Sequence, residues 1–138
     1  MTKLYKKILF ALVGFSLSTL YAQTTVPAII SANQTWTAAG SPYLITQNTW
    51  IKPGVTLDIE PGVKVKSNGV HRVIVDGTVL ADGTFDSVIM MDSMNFEFTK
   101  TSGGYNFNTN SGSTFNYCWF KGRGWGGDNT FKLNGVSM

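Results

Sequence analysis

From Trp50 to Ser93 the chain reads WIKPGVTLDIEPGVKVKSNGVHRVIVDGTVLADGTFDSVIMMDS, a run of short apolar alternations cut by Pro-Gly, Asn-Gly and Asp-Gly pairs. Punctuation this dense leaves room only for strands of a few residues joined by tight turns. The segment also repeats. Ile51 maps onto Val73, Leu57 onto Val79, Ile59 onto Ala81 and Glu60 onto Asp82 at 22 residues, and Val65 maps onto Ile89 at 24. A period of this length in strand-rich sequence predicts a solenoid, each repeat being one coil laid on the last.

Period-2 alternation assigns the faces. Val55, Leu57 and Ile59 should point inward with Thr56 and Asp58 outside, and Val63 and Val65 inward with Lys64 and Lys66 in water. Val73 and Val75 repeat this between Arg72 and Asp76, with Ile74 an exposed apolar exception. Gly54, Gly62, Gly69, Gly77 and Gly83 fall at the corners, where positive φ or close backbone approach is required. Phe96 and Phe98 should extend the Val73/Val75 line at 23 residues, and Tyr105 and Phe107 the Val79/Ala81 line at 26. After Ala22 no helical periodicity is visible.

Residues 1–22 read as a signal peptide. Lys3, Lys6 and Lys7 precede an apolar run from Ile8 to Leu20, 13 residues long, and a small residue, Ala22, ends it. That run is shorter than the about 20 residues a membrane-spanning helix needs. Without its three lysines the chain carries eight basic and eight acidic residues, which gives no support for a nucleic-acid partner, since that would need a basic face. Cys118 is the single cysteine, so packing and strand ladders, not an internal disulfide, must hold the fold. The expected organisation is a signal-peptide helix over 1–22, a capping segment over 23–40, and coils over 41–138. The fold class is all-β, a parallel β-helix of about four to five coils. The last coil has no polar cap, so the chain is expected to be the front of a longer protein, open to self-association at that end.

IKPGVTLDIEPGVKVK followed by VIVDGTVLADGTFDSVIMMDS resembles the N-terminal coils of bacterial right-handed parallel β-helices of the pectin-lyase-like class. There a "PGVTLTIEPGV" coil precedes a "V.GTL.A.GT" coil. Phe115, Cys118 and Phe120 are similar to that family's inward Cys-and-ring strand. The resemblance implies a right-handed helix and an extracellular or cell-surface location. Function is weakly specified, since the architecture hosts enzymes and non-enzymes alike.

Candidates for chemistry are few. Lyases of this class bind Ca²⁺ through outer-face carboxylates and use a basic residue to abstract a proton. Glu60 and Asp82, stacked at matching corners about 4.8 Å apart, are the candidate Ca²⁺ pair, although two solvated turn residues would show the same pattern. Arg72 and Asp76 flank one strand and could imitate a lyase base and acid. His71 lies beside a turn, and Asp58, Asp76 and Glu97 match no glycosidase pair. Cys118 lacks a basic neighbour and reads as an inward structural thiol. Trp119, between inward Cys118 and Phe120, should face out, with Lys121, Arg123 and Trp125 in the GRGWGG segment that comes next. Exposed rings beside cations suit acidic glycans. The expected function is a secreted or surface module, non-catalytic, that binds polysaccharide or acts as an adhesive scaffold. The competing readings are the front of a carbohydrate-active enzyme whose active residues lie downstream, and a structural spacer.

Overall fold

The structure is a computed structural model that describes residues 23–102, 105–122 and 131–133. The expected leader over 1–22 therefore lies outside the described residues. From Gln23 onward the chain winds as a parallel β-solenoid. Its first turn holds β1 (Thr24–Thr25), β2 (Ile29–Ile30) and β3 (Gln34–Trp36). The second holds β4 (Tyr43–Ile45), β5 (Thr49–Ile51) and β6 (Thr56–Ile59), and the third β7 (Lys64–Ser67), β8 (Val73–Val75) and β9 (Thr78–Asp82). Strands β10 (Ile89–Asp92), β11 (Phe96–Phe98), β12 (Thr114–Asn116), β13 (Cys118–Lys121) and β14 (Phe131–Leu133) carry the ladders onward. Every pairing between these strands is parallel.

Three sheets result. The first is ordered β1-β4-β7-β10-β13, the second β2-β5-β8-β11-β14, and the third β3-β6-β9-β12. About three regular turns are present, not the four to five expected at a uniform period. The departure begins after β11, where residues 99–113 intervene before β12. Ala81 consequently faces Phe115, 34 residues on. Tyr105 and Phe107 do not extend the Val79/Ala81 line, and Phe107 is 80% exposed. The segment over 23–40, expected as a cap, supplies the first strand of each ladder.

Register follows the expected period in the third sheet, where Leu57 faces Val79 and Ile59 faces Ala81. It differs in the other two. Ile51 faces Val75 instead of Val73, which sits on Thr49, and Val65 faces Met91 instead of Ile89. The corners explain this: five residues link β7 to β8, where three link β4 to β5, and six link β9 to β10, where four link β6 to β7. Both shifts are of two residues, and with a side-chain period of 2 an even shift leaves every side chain on its original face. The expected Phe96-on-Val73 and Phe98-on-Val75 contacts are present.

Inward residues form columns: Ile30–Ile51–Val75–Phe98 in the second sheet and Trp36–Ile59–Ala81–Phe115 in the third. Leu57, Val63, Val65, Ile51, Val75 and Val79 are almost wholly removed from water, each such aliphatic side chain stabilising the fold by about 1.5–3 kcal/mol. Ile74, expected to be exposed, is half-buried on the outer face between Trp50 and Glu97. Rings close the first turn, where Trp36 stacks on Tyr43 at 4.6 Å and 9°. Further along, aliphatic filling gives way to phenylalanines, with Phe96 and Phe115 meeting edge-on at 5.3 Å.

At the corners, where the chain leaves one sheet for the next, side-chain oxygens take over from the ladder carbonyls. Asn33 Oδ1 accepts the Thr56 N–H, Asn48 Oδ1 the Arg72 N–H and Ser41 Oγ the Lys64 N–H, each at 2.9 Å and each from the next turn. Corner backbone donors are thereby paired, which a close-packed stack requires. Gly77 marks the tightest corner: a Cβ there would lie 2.1 Å from the Val55 carbonyl oxygen and 2.6 Å from that of Lys52. Gly77→Ala must push two stacked corners apart and should cost about 2–4 kcal/mol, read as a lowered thermal midpoint. Leu57→Asp should leave the chain unfolded by circular dichroism, because a buried unpaired charge costs several kcal/mol. A folded Leu57→Asp variant would contradict the inward column.

Candidate functional site

Each sheet presents an outward face to solvent. On the first sheet, Lys64, Met90 and Trp119 occupy one register column, and Lys66, Asp92 and Lys121 the next. Trp119 is 59% exposed, while its neighbours Cys118 and Phe120 pack against the core. Strand alternation over CWFK thus turns the indole outward, as the sequence implies. In these two columns three lysines accompany one carboxylate, Asp92, so an anion approaching Trp119 meets a surplus of positive charge. The other two members of the expected patch, Arg123 and Trp125, lie outside the described residues.

The second sheet carries a constellation that sequence reasoning missed. Trp50 Nε1–H donates to Asp76 Oδ2 at 2.7 Å, one turn further along. Thr99 Oγ1 donates to the other Asp76 oxygen from the turn after that. Lys52 Nζ sits 5.7 Å from the centre of the Trp50 ring. Donation from Thr99, with smaller contributions from Thr101 and Trp50, holds the Asp76 carboxyl below its ordinary range against the opposing effect of burial. Arg72 and Asp76 do flank β8, yet they take separate partners, Arg72 reaching Glu97 at 3.4 Å. The geometry of a strand dictates this: four positions along it span about 13 Å, whereas the neighbouring coil is about 4.8 Å away. Asp58 projects from the third sheet and Asp76 and Glu97 from the second, so these carboxylates are distributed around the solenoid.

On the third sheet, Glu60 and Asp82 are both exposed at successive corners. Asp82 Oδ1 is engaged by Asn116 Nδ2 at 2.6 Å and Thr114 Oγ1 at 3.2 Å. Among the described residues, no three His, Cys, Asp or Glu side chains gather where they could hold a metal ion. Cys118 Sγ lies 3.4 Å from the carbonyl oxygens of Ala81 and Asn116. Burial, reinforced by the charge of Asp82, pushes its thiol up to about 11. His71 is half-buried and its Nε2 lies 3.1 Å from Asn68 Oδ1. Among the described residues, no helix is long and apolar enough to cross a membrane. No family model, curated protein or solved structure matches this chain.

Two side chains here yield measurable outcomes. Asp76 titrates below its ordinary value near 3.8, so its contribution is complete above that pH and is lost as the pH falls through the depressed folded value. The thermal midpoint of Asp76→Asn should therefore lie below that of the parent at neutral pH, with the gap closing below about pH 4; a gap independent of pH would contradict the network. Cys118 should react with a disulfide reagent far more slowly than a free thiol at pH 8, because only the thiolate attacks. Its rate should climb as the pH approaches 11. Rapid labelling of folded protein at pH 8 would contradict its placement.

Proposed function

We propose that this chain is an exported, non-catalytic module that binds acidic polysaccharide on the outer face of its first sheet. In this reading it is a right-handed β-helix of the pectin-lyase-like bacterial surface type. The observation that carries the proposal is Trp119, a large ring held outward on a short strand and 59% exposed, with Lys64, Lys66 and Lys121 on the same face. Sugar rings stack their apolar faces on exposed indoles, and ammonium groups pair with uronate carboxylates. The leader-like residues 1–22 support export. Parallel crossover connections favour the right-handed winding.

Titration with hexagalacturonate should change tryptophan fluorescence, and added salt should weaken the effect because it screens exposed charges. Trp119→Ala should abolish the response while shifting stability by no more than about 0.5 kcal/mol, as expected for an outward position. A response that survives Trp119→Ala, or the absence of any response, would overturn the proposal.

A further inference from the structure

Outside the third sheet, the surface sinks into a cleft of about 690 Å³, within the range of about 300–1,000 Å³ common to small-ligand sites. Its floor is built from outward side chains of two adjacent strands, Thr78 and Asp82 on β9 and Thr114 and Asn116 on β12. Tyr105 and Asn110, from the residues that enlarge the fourth turn, form its wall. That wall is organised in advance of any ligand. Asn106 and Ser111 bridge antiparallel through two backbone hydrogen bonds of 2.7 and 3.2 Å. Tyr105 Oη donates to Asn110 Oδ1, and the Tyr105 ring meets Phe107 edge-on at 4.9 Å and 80°. A site held in shape before binding loses less freedom on binding.

The chemistry of the lining selects the ligand. Among the described residues it offers hydroxyls, amides, a phenol and a single carboxylate, and no cationic residue. An anionic ligand would meet Asp82 without a counter-charge. A bare cation would find one carboxylate, one oxygen of which already accepts from Asn116 and Thr114. A wholly apolar ligand would bury these groups unpaired, which is costly. A neutral polyhydroxylated chain satisfies each: its hydroxyls donate to Asp82 and accept from the amides, and one apolar sugar face lies on the Tyr105 ring or on Leu80. We propose that this cleft is a binding site for a short neutral oligosaccharide. It lies on a different sheet from Trp119 and requires a ligand of different charge, so it stands independently of the acidic-glycan reading.

The test is a titration of the isotope-labelled full chain with cellohexaose, xylohexaose and maltohexaose, and separately with hexagalacturonate, followed by backbone amide shifts in two-dimensional NMR. At least one neutral hexasaccharide should saturably move the amides of 78–82 and 110–116. Tyr105→Ala should weaken that binding about tenfold. Thr78→Trp fills the floor from an outward position without touching the core and should abolish the response. Trp119→Ala should leave it unchanged, whatever that variant does to hexagalacturonate. The proposal is overturned if no neutral probe moves these amides at about 10 mM, if only hexagalacturonate does, or if Thr78→Trp leaves the response intact.

Discussion

The constraint on which the rest of this structure depends is that no turn of the solenoid can satisfy its own strands. Each two- to five-residue strand pairs its backbone groups only with the turn before and the turn after, and its inward side chains pack only on those same neighbours. Stability therefore accumulates along columns. Ile30, Ile51, Val75 and Phe98 are one such column, and a defect in any member is felt by both adjoining turns. With one cysteine in the chain, no internal disulfide relieves this dependence. Among the described residues, no buried side-chain nitrogen or oxygen lacks a hydrogen-bond partner.

Corners are where a stack of this kind is weakest, since the chain turns away from the ladder while its amides still need acceptors. Asn33, Ser41 and Asn48 provide them across turns, and Asp76 extends the same device to side-chain donors from two different turns. The physical effect is a set of polar staples outside the core, parallel to the apolar columns within. Because inner columns and corner staples hold the fold, the outward side chains of each sheet are free to differ in chemistry. The first sheet offers an indole among lysines. The third offers a hydroxyl-rich cleft that, among the described residues, has no cation in its lining.

How much of this was legible in the residues depends on the interaction concerned. Inward and outward assignments over Val55–Val75 hold because alternation is a local property of extended backbone. The outward Trp119 obeys the same rule. Register is different: Ile51 meets Val75 because of the length of the Asn68–Arg72 corner, and no alternation pattern reports corner length. Tyr105 and Phe107 fit the period-2 pattern well enough to suggest a continued ladder, yet neither joins it, and Tyr105, Asn110, Ser111 and Gly112 line the cleft instead. The link from Trp50 to Asp76 spans 26 residues and joins two residue types with no characteristic spacing, so no motif could have announced it.

By itself, then, the sequence determined that this chain winds as stacked parallel coils, which side chains enter the core, and that glycines must occupy particular corners. These are consequences of short-range sterics and of the period of an extended strand. Only the tertiary structure decided which turn lies on which residue of the next, which carboxylate takes which partner, and where a cleft opens. Those outcomes hang on the summed lengths of several corners and one insertion. A change of two residues at a corner leaves every side chain facing the same way while changing every neighbour it meets.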